Sequence, residues 1–217
     1  MSHITLIRHG QANSGAKDEA SYDQLSPLGH QQAQWLGTYL KETEQAHHRL
    51  YTGTLTRHAE TADGMDTGLS PIRDARLNEL EYFTLASALE AEQGIPIPTE
   101  QSEFTKHLPR VFAAWQAGEI AGEPESFSHF EDRVNSVVQD IAAGDGPALV
   151  VTSGGLISMV MRQHLDLDIT KMANLALAIM NTSMHRLYPV GGRWSPVLFN
   201  AVPHLEHPDR HHAQTHV

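Results

Sequence analysis

Apolar residues in this chain fall into short unbroken runs separated by longer stretches with helical spacing. "HITLIR" (His3 to Arg8) is short, β-branched and first in the chain, which predicts a buried strand. "HRLYTG" (His48 to Gly53) and "GPALVVTSGG" (Gly146 to Gly155) predict two more, the latter ending in a tight turn. Ser26-Pro27 opens a helix, with the serine as N-cap and the proline at the first helical position, and that helix should run to about Glu44. In "TLTRHAETADGM", Leu55, Ala59 and Ala62 share one helical face. In "SFSHFEDRVNSVVQDIAAG", Phe130, Val134, Val137, Val138 and Ile141 face inward and Gly144 is the stop. "LISMVMRQHL" is the helix fed by the glycine turn. "LALAIMNTSMHRLYPV" (Leu175 to Val190) reads as two strands flanking Asn181-Thr182, with a last strand near Val197 to Asn200.

The connecting segments complete the picture. "GQANSGAKDEASYDQ" has the small and polar residues of a loop, and "PIRDARLNELEYF" is a short extended piece followed by a turn. Residues 84–128 hold helical patches interrupted by the breaker-rich "GIPIP". They are too few to enclose their own core and read as a helical insertion. Strands alternating with helices imply an α/β fold: a mostly parallel central sheet with helices on both faces, plus the small insertion. One domain over 1–203 is expected, with 204–217 as a mobile His-rich tail carrying five of the 15 histidines.

Composition narrows the function. With 217 residues and 40% hydrophobic content the chain can bury a real core. A formal net charge of -11 argues against non-specific binding to nucleic acid or an anionic membrane. It leaves room for one anionic ligand in a cleft governed by a few arginines. The absence of cysteine excludes disulfides, thiolate metal sites and a Cys nucleophile. The first apolar stretch is too short for a signal peptide and no segment approaches membrane-spanning length, so a cytoplasmic location is the expectation.

Ligands of open α/β sheets bind beyond the carboxyl ends of the strands, where Arg8, His9, Ser153, Gly154 and Gly155 all fall. Arg57 lies in the first turns of a helix that starts at another strand end, where its guanidinium can face Arg8 and match phosphate oxygens; the plain alternative is a surface ion pair with Glu60 or Asp63. Glu79 follows an extended segment in a loop that can overhang the cleft, with Glu81 as its rival. "VVTSGGLI" puts backbone N–H groups at a helix N-terminus, an anion cradle.

"LIRHGQ", "LSPLGHQQA", "YTGTLTRHAETA", "LNELEY" and "VVTSGG", in this order and over nearly the whole chain to about Asn200, resemble the histidine phosphatase superfamily, the phosphoglycerate-mutase-like proteins. The resemblance implies His9 as the nucleophile that accepts a phosphoryl group, Arg8 and Arg57 as its clamp, and Glu79 as donor of a proton to the leaving oxygen. It implies a small phosphorylated metabolite as ligand and no metal or cofactor. Asn13, Ser153, whose hydroxyl can hydrogen-bond a phosphate oxygen, and Gly154 are further candidates for substrate contact, Asn13 weighed equally against an ordinary loop residue. The chain departs from the family at Ser153, where the resemblance places a second histidine. A serine there brings no charge, so a phospho-ligand binder with little turnover stands beside a phosphatase, and a mutase is the weaker reading. His58, next to Arg57 on a helix, is expected to point elsewhere; His185 is the more open source of a replacement imidazole.

Overall fold

The computed structural model describes residues 2–216 except 14, 17 and 123. The strands are β1 (Ile4–Arg8), β2 (Arg49–Thr52), β3 (Pro71–Arg73), β4 (Ala148–Thr152), β5 (Met184–Val190) and β6 (Arg193–Ala201). The helices are α1 (Glu19–Tyr22), α2 (Pro27–Glu42), α3 (Thr56–Met65), α4 (Tyr82–Gln93), α5 (Gln101–Ala117), α6 (Phe127–Ala143), α7 (Gly154–Leu165) and α8 (Ile169–Ala178), with short 3₁₀ turns at Ala75–Leu77, Pro203–Leu205 and Pro208–Ala213. One sheet runs in the order β3-β2-β4-β1-β5-β6. Its first four strands are parallel; β5 runs antiparallel to both β1 and β6.

Side-chain alternation in the central strands explains the layering. Ile4 and Leu6 of β1, with Ala148 and Val150 of β4, pack under residues of α4 to α8. Ile7, Leu149 and Val151 face the other way, against Leu36 and Leu40 of α2 and Ala62 and Met65 of α3. Both faces of β1 and β4 are therefore buried, which is why these strands read as continuous apolar runs. The helices of the insertion share this core: Leu85, Leu89, Val111, Phe112 and Trp115 belong to the same cluster as Ile4 and Val150.

Ser26 caps α2 as expected, accepting from Gly29 N–H with Pro27 at the first position. Two expectations fail. "LALAIM" is not a strand: Leu175 to Ala178 form the last turn of α8, capped by Asp168, and the segment becomes extended only at Ile179. The loop after β1 contains a single helical turn, α1, capped by Asp18. The tail also differs from its reading. Its two 3₁₀ turns dock on the body: Val202, Leu205 and Ala213 pack with Leu28, Trp35 and Met180, and Gln32 donates to the Ala213 carbonyl at 2.7 Å. No helix among the described residues is long and apolar enough to cross a membrane.

Candidate active site

Parallel pairing brings the carboxyl ends of β1, β2 and β4 to one edge of the sheet, with Arg8 opposite Thr152 and Thr52 opposite Val151. His9 leaves β1 there, its N–H bound to the Thr152 carbonyl at 2.9 Å. The turn it starts is tightly held: Gly10 N–H donates to Thr61 Oγ on α3 at 3.0 Å, and a Cβ at Gly10 would lie 2.5 Å from the Gly29 carbonyl oxygen. Only glycine lets the turn lie this close to α2.

The His9 ring is 2% exposed, and its Nδ1 lies 2.7 Å from the Gly10 carbonyl. A carbonyl only accepts, so Nδ1 carries the proton and Nε2 keeps its lone pair. Burial, then Arg57, Arg8 and His58, hold the imidazole pKa well below 6.5. The ring is therefore neutral at pH 7.

Arg8 donates to the Ile179 carbonyl, and Arg57 donates to Asp23 Oδ1 at 3.1 Å with its guanidinium 5.0 Å above the Tyr22 ring. Asp23 also accepts the Thr56 and Arg57 backbone N–H groups, so one carboxylate caps α3 and orients the arginine. Glu79 reaches the N-terminus of α7, accepting from Gly155 N–H at 2.9 Å and from its neighbour Leu80 N–H at 3.1 Å. A Cβ at Gly155 would lie 2.4 Å from the Glu79 carboxylate, so the second glycine of the turn makes room for the acid. Arg8, His9, Arg57, Glu79, Asn13, Gly154 and Gly155 all line one cleft of about 800 Å³.

A sequence model of the histidine phosphatase superfamily (branch 1) matches residues 4–202. The chain belongs to that superfamily. Among solved structures similar to it are a phosphoserine phosphatase mutant of Entamoeba histolytica in complex with phosphoserine (TM-score 0.69, 19% identity, 94% of this chain and 100% of that one). A mycobacterial glucosyl-3-phosphoglycerate phosphatase with inorganic phosphate matches at TM-score 0.65 and 24% identity, over 93% of this chain and 98% of that one. A phosphoglycerate mutase of Bacillus anthracis matches at TM-score 0.67 and 19% identity, covering 94% of each. At these identities the three similarities carry the fold.

Within this member of the histidine phosphatase superfamily the remaining candidates separate. Glu81 is exposed and accepts from Thr84 on its own helix, whereas Glu79 faces the cleft. Asn13 lines the cleft, but its amide donates to the Ser21 carbonyl and its oxygen accepts from Gly15 N–H, so both ends of the group hold the loop. His185 is no stand-in for a second catalytic imidazole: its Nε2 is bound to Ser183 Oγ and its Nδ1 accepts from Asn200 N–H. Ser153 and His58 are both fully buried and lie 2.6 Å apart, Oγ to Nε2, so the expectation that His58 points away is wrong.

Three contributors escape a reading of the sequence. Glu19, on the helical turn hidden in the loop, lines the cleft and has its carboxyl pKa raised, by burial first, with Glu79 and Glu81 adding to it against the Phe83 N–H and Arg57. Asp23 follows it and holds Arg57. The tail contributes Gln214, Thr215 and His216 to the lining. Thr215 accepts from Asn181 N–H and donates to its Oδ1, while Asn181 Nδ2 donates to the His9 carbonyl at 3.3 Å. An acid in a polar loop or a histidine-rich tail gives no local signal of such a role.

Proposed function

We propose that this protein hydrolyses a small phosphomonoester through a phosphohistidine at His9. The single observation that carries this reading is the tautomer of His9: Nδ1 is committed to the Gly10 carbonyl, so the lone pair sits on Nε2 beside two guanidinium groups. Nε2 attacks phosphorus, Arg8 and Arg57 balance charge on the equatorial oxygens, and the ester P–O bond breaks. Glu79 gives its proton to the departing oxygen. In the second half a water attacks the phosphohistidine, passes a proton to the Glu79 carboxylate, and inorganic phosphate leaves with His9 restored.

The far wall of the cleft suggests the leaving group. Tyr82, Phe83, Ile97, Pro98, Phe104 and Phe112, from α4, α5 and the loop between them, form an apolar surface. Among the described lining residues the cations beyond histidine are Arg8 and Arg57, both at the phosphate end, while Glu19 and Glu100 oppose a second anion. This favours an uncharged apolar alcohol or phenol over a substrate with a further carboxylate or phosphate, and counts against a phosphoglycerate mutase. A panel of phosphate esters tests it. We expect kcat/KM for naphthyl or alkyl phosphates at least about 100-fold above that for 3-phosphoglycerate, roughly the worth of one desolvated, unpaired charge. A preference for the phosphoglycerate would overturn the assignment.

The proton donor is tested by leaving-group dependence. A Glu79→Gln variant should lose about 100-fold or more in kcat on an alkyl phosphate, yet less than about tenfold on p-nitrophenyl phosphate, whose leaving group needs no proton. The same split in Glu19→Gln, with Glu79→Gln unaffected, would move the role to Glu19.

A further inference from the structure

His58 directly follows Arg57 on α3, and its ring centroid is 5.8 Å from that of His9. Room has been made for it: a Cβ at Gly53 would lie 2.2 Å from His58 Nδ1 and 2.9 Å from Cε1. Among the described residues its ring has one hydrogen-bond partner, Ser153 Oγ at 2.6 Å, and Nδ1, fully buried, has none. Ser153 is equally unusual. It occupies the N-cap of α7, yet its side chain caps no backbone N–H of that helix. The hydroxyl that would ordinarily satisfy the second or third N–H has been diverted to the imidazole.

The proton on His58 can be placed. A proton on Nδ1 would be a buried donor with no acceptor, the costlier kind of orphan. On Nε2 it makes the one available hydrogen bond. Ser153 Oγ then accepts, and its own proton is free to be donated elsewhere. Burial and then Arg57 keep His58 neutral, so the pair offers a hydrogen bond and no third positive charge beside Arg8 and Arg57. The next residue, Gly154, lines the cleft, and a Cβ there would lie 3.6 Å from Arg8 Nε; Ser153 itself is fully buried, one residue behind that lining.

We infer that His58 is a positioning residue for phosphoryl transfer: it donates from Nε2 to Ser153 Oγ and so turns the serine hydroxyl proton toward the phosphoryl group held by Arg8, Arg57 and His9. The imidazole that the family resemblance places at the end of β4 is in this chain carried by α3 and works through a serine. The inference rests on the phosphatase reading of the cleft.

The test compares wild type with His58→Phe (ring kept, donor lost), His58→Gln (donor kept near the Nε2 position) and Ser153→Ala. Two readouts are taken: kcat and KM for p-nitrophenyl phosphate, and the dissociation constant of orthovanadate, which imitates the five-coordinate phosphorus. His58→Phe and Ser153→Ala should each lower kcat about 10- to 100-fold with KM within threefold, and weaken vanadate binding in step. His58→Gln should stay within about threefold of wild type. The double variant His58→Phe/Ser153→Ala should be no worse than Ser153→Ala alone, because both remove one unit. Wild-type kcat in His58→Phe, an equal loss in His58→Gln, or losses that multiply would overturn the inference. Absence of wild-type turnover would sink the phosphatase reading instead, and the vanadate affinities would still decide the role of His58. Should His58→Phe fail to fold, Ser153→Ala against His58→Gln makes the same comparison.

Discussion

Replacing His9 by alanine is expected to lower phosphomonoester turnover by about 10⁴-fold or more while leaving affinity for inorganic phosphate within about tenfold of wild type. The asymmetry follows from the geometry. Arg8 and Arg57 are positioned by groups other than His9: the Ile179 carbonyl for one, and Asp23 with the Tyr22 ring for the other. The cationic end of the cleft survives the substitution, and what disappears is the lone pair on Nε2. Steady-state kinetics and phosphate inhibition on the two proteins measure both halves. A parallel loss of phosphate affinity and turnover would mean that His9 mainly shapes the anion site.

The second large effect is acid unfolding. His9, His58, His185 and His204 are all 2% exposed or less. Burial is the leading cause of a lowered pKa in each; Arg8 adds to it at His185 and Arg210 at His204, both of which fall to about 3. In the unfolded chain these rings titrate near 6.5. Above that pH neither state binds the protons and the stability is intact. Below it the unfolded chain takes them up and the folded one does not, so stability falls with pH until the folded values are reached. Each ring contributes up to about 1.4 kcal/mol per pH unit, so the four together contribute roughly 5 kcal/mol per unit. The whole stability of such a domain is about 5–15 kcal/mol. Cooperative unfolding between about pH 5.5 and 4 is the expected result, read as the urea midpoint by circular dichroism across pH. Substituting His204, which lies outside the cleft against Thr182, by glutamine should shift the transition to lower pH. A urea midpoint that stays flat from pH 7 to 4 would contradict neutral buried rings.

Much of the site was legible because its residues sit where local signals are strongest. Arg8 ends and His9 follows a short β-branched run that reads as a buried strand, Ser153 and Gly154 follow another, and parallel pairing brings both ends to one edge. Arg57 and Glu79 were placed near them by a helix start at a strand end and by a loop after an extended segment, and the resemblance supplied their roles. Elsewhere local signals misled. "LALAIM" is apolar at every position, and a run that short fits a strand or the buried end of a helix equally well; the Asp168 cap upstream decides for helix. His58 was expected to point away because consecutive helical residues diverge by about 100°. The divergence is real, but Ser153 at the end of β4 lies on the side to which it leads. Glu19, Asp23 and Thr215 owe their places to tertiary closure of a loop and of the tail over the sheet edge, which no local pattern encodes.

Everything chemical proposed for this chain depends on His9 becoming phosphorylated. Rapid quench of the wild-type protein mixed with a radiolabelled aryl phosphate measures this directly, with the adduct located by mass spectrometry. The expected result is an acid-labile, alkali-stable phosphoryl group on His9, formed faster than steady-state turnover and absent from His9→Ala. Turnover by the wild type with no such adduct, or with the label on another residue, would contradict a histidine nucleophile.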